Sequence, residues 1–314
     1  MPQGSYLPEG MLLDTPKNRA YTQSPALLQR AIAEGCILEG MATHCDAAHN
    51  LTVRLGEETG VIPRREAAAG IETGKTREIA IISRVGKPVS FKVTGMENGK
   101  YILSRRRAQE EAMDFLLESL RPGDVIRARV THLEPFGAFV DIGCGNASLI
   151  GIENISVSRI AHPRERFYPK QEIYAVVAGV DVPGRRIHLS HRELLGTWEQ
   201  NAARLAAGET VGGIVRGVEE YGIFVELTPN LSGLAEKREG MQAGMPVAVY
   251  IKSIIPDRMK IKLIIIDALE CPAYKAVSAG DYYITDGHID VWRYTPPQCE
   301  GKLVETVFSG GDMV

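Results

Sequence analysis

The sequence has 314 residues, which is too long for one small barrel and predicts two or three domains of ordinary size. Hydrophobic residues make up 44% of the sequence and charged residues 24%, as is typical of globular proteins. The long apolar stretches are interrupted by charged residues, so no membrane-spanning segment is predicted. The formal net charge of −3 shows no basic excess, so composition alone neither indicates nor excludes a nucleic-acid ligand.

The N-terminal residues 1–23 are rich in proline, glycine and polar side chains and are predicted to be disordered. The first ten, MPQGSYLPEG, lack the basic start and apolar run of a secretory signal, so we expect a cytoplasmic location. Ser24-Pro25 then supplies an N-cap and a first helical position for a short helix, ALLQRAIA.

A first, eroded barrel-like repeat is predicted at residues 24–105, including that short helix. Its apolar segments have the same order as those of two clearer copies further along the chain. A linker helix is predicted at residues 106–119, because RRAQEEAMDFLLES carries Ala, Met, Phe and Leu at helical spacing and almost no β-branched residues.

Two clear copies of one pattern follow the linker helix. PGDVIRARVTHLEPFGAFVDI and AGETVGGIVRGVEEYGIFVEL share the spacing of their glycine, valine and aromatic positions. Alternating apolar residues bounded by Gly, Pro and Asn predict strands that close into small barrels. The predicted bounds are 120–191 for the second repeat, 192–206 for a helical linker and 207–268 for the third repeat.

Residues 269–314 are predicted to form a C-terminal β extension. Asp286-Gly287, between DYYIT and HIDVWRY, predicts a hairpin turn, and KLVETVF could add a third strand. Because so small a sheet is not stable alone, we expect it to pack on the last barrel.

Both clear repeats carry two aromatic residues three apart, in FGAF and YGIF. A spacing of three would place them on opposite faces of a flat strand, so we expect bends at Gly137 and Gly222 to aim both rings outward. Exposed rings could then stack with nucleobases, at about 1 to 3 kcal/mol per base, while packing of one or both rings in the core stays open. The pairs are Phe136 with Phe139 and Tyr221 with Phe224.

The segment GDVIRARVTHLEPFGAFVDI, followed by IENISVSRIAHPRERF and DVPGRRIHLS, resembles the S1 repeat of bacterial small-subunit ribosomal proteins. The resemblance covers the second repeat nearly end to end, the third well and the first weakly. It implies OB-fold barrels of five strands. The predicted fold is therefore dominated by β-strands: three tandem OB-fold barrels joined by short helices, with a C-terminal β-hairpin appendage.

The resemblance also implies an RNA face made of two aromatic residues, a polar third-strand residue, and an acidic and a basic residue beside the last turn. Gly151 in the second repeat and Glu236 in the third stand at the polar position, and Ile255 stands at the acidic position of the third. The first repeat has His49 and Thr52 at its aromatic positions, which leaves a structural or protein-binding role open. The family residues that carry over are Phe136, Phe139, Asp181 and Arg186 in the second repeat and Tyr221, Phe224 and Lys260 in the third.

Basic residues near this face are predicted to contact phosphates. They are Arg127 and Arg129 on the first strand of the second repeat, Arg185 beside Arg186, and the run Arg105-Arg106-Arg107. For that run the alternative is a solvated charged helix face.

Two further signals are set aside. The segment 69–76, AGIETGKT, fits a permissive phosphate-binding loop, but the following REIAIIS is strand-like, whereas such a loop requires a helix. Cys36, His44, Cys45 and His49 lack the spacing of a zinc site, and five scattered cysteines do not predict a disulfide framework.

The leading hypothesis is non-catalytic binding of single-stranded RNA, as an S1-like protein that binds mRNA in translation, with the small ribosomal subunit as a possible partner. No cofactor, metal, membrane or small-molecule substrate is expected. One alternative is a protein-interaction module that contacts the ribosome or RNA polymerase and touches RNA incidentally. Another is a nuclease, or a nucleotide-binding protein that uses Lys75.

Overall fold

Three closed barrels of five strands dominate the structure. The computed structural model describes residue 4 and residues 6–270, 277–301 and 303–308. In each barrel the strands pair in the cyclic order 1-2-3-5-4, antiparallel except where the third strand pairs with the fifth. A small two-stranded sheet lies near the C terminus. The predicted fold class is confirmed.

Barrel 1 is preceded by two helices, α1 (Pro16–Thr22) and α2 (Pro25–Glu34). As predicted, Ser24 caps α2, its hydroxyl accepting the Leu27 N–H at 3.4 Å, and Gly35 ends the helix at a φ of 60°. The barrel strands are β1 (Ile37–Cys45), β2 (Leu51–Leu55), β3 (Glu58–Ile62), β4 (Pro88–Glu97) and β5 (Lys100–Ser104).

The segment REIAIIS does not form the predicted strand. Ile79–Ile82 is a single helical turn, α3, which buries Ile81 and leaves Ile79 exposed, so tertiary packing overrides the β propensity of isoleucine. The preceding loop closes on itself: the Thr76 hydroxyl donates to Ala69 O at 2.6 Å and the Thr76 N–H to Gly70 O at 3.0 Å. These groups are therefore not directed at a phosphate.

Barrels 2 and 3 follow α4 (Arg105–Ser119), the predicted linker helix. The strands of barrel 2 are β6 (Val125–Glu134), β7 (Gly137–Asp141), β8 (Ala147–Gly151), β9 (Glu172–Asp181) and β10 (Arg186–Ser190). Those of barrel 3 are β11 (Thr210–Glu219), β12 (Gly222–Thr228), β13 (Leu231–Ala235), β14 (Pro246–Ile255) and β15 (Lys260–Ala268).

The linker between barrels 2 and 3 is less helical than predicted. A short 3-10 turn at Arg192–Leu195 ends at Gly196, whose φ of 82° is incompatible with a continuing helix, and α5 spans only Trp198–Ala202. At the C terminus, Val291–Arg293 (β16) pairs with Glu305–Val307 (β17). The two-stranded appendage is thus present, but the predicted hairpin around Asp286-Gly287 is wrong.

The core lies inside the barrels, where alternate strand residues point inward. On β6, for example, Ile126, Ala128 and Val130 are buried while Arg127 is exposed. No helix in the described part of the chain combines the length and apolar character needed to cross a bilayer. The four cysteines within the described residues are free thiols, and Cys271 lies outside them.

The predicted disorder of residues 1–23 is wrong for residues 6–22, because a buried carboxylate attaches this segment to barrel 1 and α4. Glu9 accepts hydrogen bonds from Arg105 at 2.7 and 2.9 Å, from Arg84 at 3.3 Å and from the Ser90 N–H at 3.1 Å. Burial alone would raise the pKa of Glu9, but the Arg105 guanidinium and these hydrogen bonds hold it below its ordinary value.

The backbone of the same segment joins barrels 1 and 2. The Glu9 N–H donates to Asp141 at 2.7 Å in barrel 2, and Glu9 O accepts from Arg129 at 2.7 Å. The Gly10 N–H donates to both carboxylate oxygens of Glu39 in barrel 1, at 3.0 Å each. Residues 9–10 therefore lie between the two barrels and contact both.

Buried charges also join barrels 2 and 3. The Glu226 carboxylate of barrel 3 accepts from Arg166 of barrel 2 at 2.5 Å and from its own neighbour Arg216 at 2.6 Å, and Arg216 also pairs with Glu165 of barrel 2. All four side chains are almost fully buried. Because such charges are strongly disfavoured when unpaired, an orientation of the two barrels that separated them would be costly.

The C-terminal extension packs on barrel 3, as expected, and also contacts barrel 2. Trp292 and Tyr294 belong to the apolar cluster of barrel 3, and the Tyr294 hydroxyl donates to Asn230 O at 2.6 Å. At the other end, the Val125 N–H donates to Gly287 O at 3.0 Å. The extension thereby bridges the two barrels.

We predict that Arg105→Ala destabilises the protein by about 3 to 5 kcal/mol, because it leaves the buried Glu9 carboxylate without its principal partner. Arg107→Ala, in the same basic run but exposed, should change stability by less than about 0.5 kcal/mol. Urea unfolding followed by circular dichroism measures both. Equal effects of the two substitutions would contradict the assignment of Arg105 to the core.

Stability should also depend on Glu39 between pH 5 and 7. Burial raises the pKa of Glu39 to about 7 from an ordinary 4.5, so its contribution is present at low pH and lost as the pH rises to about 7. His191 acts in the opposite sense, since burial lowers its pKa to about 4. Wild type is therefore compared with Glu39→Gln at each pH. The free energy of unfolding of Glu39→Gln, relative to that of wild type, should increase from pH 5 to pH 7 and then level off. A pH-independent difference would contradict this expectation.

Candidate nucleic-acid interface

The first aromatic residue of each pair lies in a two-residue turn. Glu134 pairs with Gly137 across β6 and β7, so Phe136 occupies the turn itself, where 56% of its surface is exposed. In barrel 3, Glu219 pairs with Gly222 and leaves Tyr221 in the equivalent turn, 70% exposed. The turn therefore explains how residues three apart reach the same side of the barrel.

The glycine after each of these residues is required by close backbone packing. A Cβ at Gly137 would lie 2.5 Å from Ile150 O on the neighbouring strand, and one at Gly222 would lie 2.6 Å from Ala235 O. Both contacts are shorter than side chains tolerate. The glycines thus allow the turn to lie directly against the third strand.

The second aromatic residue of each pair is half-buried on the outer face of the second strand. The ring centroids of Phe136 and Phe139 are 6.0 Å apart with the ring planes at 84°, and those of Tyr221 and Phe224 are 6.0 Å apart at 86°. Neither pair belongs to an apolar core cluster of the described residues. The two barrels therefore present the same edge-to-face aromatic surface.

His132 is part of this surface in barrel 2 and was missed by sequence reasoning. Its ring stacks on Phe139, with centroids 4.3 Å apart and planes at 10°. Strand β6 shifts register between Val130 and His132, so that Thr131 and His132 are both exposed. If the two strands are paired residue by residue outward from the Pro135-Phe136 turn, His132 falls opposite Phe139. This pairing is the sequence signal that could have revealed the contact.

The residues beside the last turn are cross-strand partners, as the repeat pattern implied. Asp181 pairs with Arg186 in barrel 2, and Ile255 pairs with Lys260 in barrel 3. One Asp181 oxygen accepts the Gly184 N–H at 2.9 Å within the turn. Arg186 and Lys260 are exposed.

Several of the predicted phosphate contacts have other partners. Arg129 donates to the carbonyls of Glu9 and Lys170, so it attaches the N-terminal segment instead. Arg105 is buried against Glu9, and Arg106 pairs with Glu66 and Glu110. Arg185 bonds Asp114 of α4 at 2.7 Å. Arg127 is exposed on β6.

The departures from the repeat pattern have structural counterparts. A Cβ added at Gly151 would lie only 2.5 Å from the Glu153 carboxylate, which therefore occupies the space that a side chain would need. Glu236 is largely exposed, with Lys252 at 4.0 Å. His49 in barrel 1 has a φ of 63° and bonds Glu78 at 3.0 Å. Barrel 1 therefore lacks the aromatic surface of the other two.

A family model for the S1 RNA binding domain matches residues 119–192, which comprise barrel 2 and the end of α4. Barrel 2 is an S1 domain. The chain is also related to bacterial ribosomal proteins. It is 29% identical over 278 residues to small ribosomal subunit protein bS1 of Staphylococcus aureus, covering 83% of this chain and 67% of that protein. A bS1 homolog of Bacillus cereus is 31% identical over 203 residues, 59% of this chain and 53% of the relative.

Among solved structures, a multidomain protein with nucleic acid binding domains from Streptococcus pneumoniae is matched over 74% of each chain, at 15% identity and a TM-score of 0.25. The match to the S1 family model confirms the resemblance predicted from the sequence. The matched residues form the barrel that carries the surface of His132, Phe136 and Phe139.

Gly137→Ala should distort the aromatic turn of the S1 domain, because the new Cβ must displace the Ile150 carbonyl or move the turn. We expect a loss of about 1 to 3 kcal/mol in stability. Gly95→Ala is the control, since Gly95 is also a strand glycine but has open space around it and should tolerate alanine. Thermal unfolding of both variants measures the difference, and equal melting temperatures would contradict the packing argument.

Proposed function

We propose that the protein binds single-stranded RNA without catalysing a reaction on it, and that it does so in translation. The observation that carries this proposal is the exposed edge-to-face aromatic pair at the same position on barrels 2 and 3. Unpaired bases stack on exposed rings whatever their identity, so little sequence preference is expected.

The proposed face combines these rings with nearby charge. Exposed cations would contact phosphates and hold the strand against the rings. Asp181 would accept a hydrogen bond from a base or ribose. We assign to the face Phe136, Phe139, Arg127, Asp181 and Arg186 in barrel 2, and Tyr221, Phe224 and Lys260 in barrel 3.

Barrels 2 and 3 would bind one RNA strand together. The buried contacts of Arg166 with Glu226 and of Glu165 with Arg216 hold the two barrels in one orientation. When the first barrel binds a strand, the second barrel meets the adjoining nucleotides at a high effective concentration. Two weak sites can therefore give useful affinity.

The relationship to bS1 proteins supports a place in translation, with mRNA as ligand and the small ribosomal subunit as partner, in the cytoplasm. We propose no cofactor and no enzymatic role, and therefore expect neither RNA cleavage nor ATP hydrolysis by the purified protein. The described residues contain no group of three or more His, Cys, Asp or Glu side chains that could hold a metal. Barrel 1 would serve a structural role, since Thr52 replaces the strand aromatic.

The double substitution Phe136→Ala with Phe139→Ala should weaken binding of a labelled 12-nucleotide oligouridylate at least 10-fold, because about 1 to 3 kcal/mol of stacking is lost per base. Fluorescence anisotropy at 50 and 200 mM salt measures the affinity, which should fall as salt rises. Tyr168→Ala is the control, as it removes an exposed aromatic ring outside the face on the same barrel.

Unchanged affinity in the double variant would overturn the assigned face. No binding by the wild-type protein would overturn the function itself. Sedimentation with ribosomes after RNase treatment tests the partner: retention indicates direct contact with the ribosome, whereas release indicates attachment through mRNA alone.

A further inference from the structure

Four adjacent strands of barrel 2 place outward-facing side chains in one row. His132 pairs with Phe139 across β6 and β7, and Phe139 pairs with Leu149 across β7 and β8. Ile150 pairs with Leu189 across β8 and β10, so the preceding residues, Leu149 and His188, are neighbours on the outer face. The row therefore reads His132, Phe139, Leu149, His188.

Every member of this row is available at the surface. His132 and His188 are exposed, Leu149 is 38% exposed and Phe139 is half-buried. The four positions span three inter-strand spacings, about 14 Å. An apolar strip with an imidazole at each end therefore runs across the strands, beside Phe136 in its turn.

The same row in the other barrels has different chemistry. In barrel 1 the residues paired at these positions are His44, Thr52, Val61 and Ile102, so this row has no phenylalanine or tyrosine ring. In barrel 3 it gives Gly217, Phe224, Leu234 and Lys262. Of the three barrels, barrel 2 alone thus pairs a histidine on the first strand with a phenylalanine on the second.

We propose that His132 and His188 are further RNA-contacting residues of barrel 2, and that the bound strand crosses the barrel along this row. His132 supports the Phe139 ring from one side and extends the flat surface on which a base stacks. His188 places an imidazole N–H donor at the far end of the strip, where it can reach a phosphate or a base edge. This inference rests on the proposed function.

The two histidines could replace a polar contact that barrel 2 lacks on its third strand. Gly151, at the end of the third strand, has no side chain to supply a polar contact, and the Glu153 carboxylate fills the adjoining space. A carboxylate there disfavours an approaching phosphate. Imidazole donors on the first and fifth strands supply polar contacts on either side of the gap. The RNA path is thereby directed across the strands and away from Glu153.

The test compares oligouridylate affinity of His132→Ala and His188→Ala with that of wild type. We expect each to bind 3- to 10-fold more weakly. His132→Phe, which keeps the stack, and His188→Arg, which keeps a donor, should bind within 2-fold of wild type. His44→Ala is the matched control, since it removes the exposed histidine at the same row position of barrel 1 and should leave affinity unchanged.

Wild-type affinity in both alanine variants would overturn this inference. If Phe136→Ala with Phe139→Ala still weakened binding, the proposed function would stand without it. Crosslinking of a 4-thiouridine-containing oligonucleotide to the wild-type protein gives a second readout that needs no variant. Adducts on peptides containing His132 and His188 support the path, and adducts confined to barrel 3 contradict it.

Discussion

Closure of each barrel depends on a long first strand that pairs with two partners. In barrel 2, residues 125–129 pair with the fourth strand and residues 129–134 with the second, with a register shift between Val130 and His132. Barrels 1 and 3 shift at the equivalent point, between Ala42 and His44 and between Val215 and Gly217. The bulge lets one strand turn a corner between two partners, and it also determines which residues face the second-strand aromatic.

The barrels are connected by buried charge as well as by apolar packing. Glu9 with Arg105 lies between barrels 1 and 2, and Arg166 with Glu226 lies between barrels 2 and 3. A buried ion pair adds little net stability compared with an apolar contact, but removing one partner is costly, so the pairs favour one arrangement over others. This arrangement presents the surfaces of barrels 2 and 3 in a fixed relation to each other.

The repeats share a fold but not a surface. Barrel 2 combines rings, histidines and the Asp181–Arg186 pair, whereas barrel 3 keeps the rings and a basic residue. In barrel 1 the equivalent strand position is Thr52. Since the barrel core is formed by inward-facing residues, many outward positions can change without loss of the fold.

The sequence by itself determined the number of barrels, the linker helix and the aromatic pairs, because glycine spacing and alternation with a period of two are local properties of the chain. The sequence could not distinguish a buried arginine from an exposed one when both have similar sequence neighbours. Arg105 and Arg107 belong to one run, yet Arg105 is buried against a residue 96 positions away. Only the tertiary structure decided that residues 6–22 are ordered and that Arg129 attaches them. Each of these depends on partners brought together by barrel closure, across distances that no local pattern encodes.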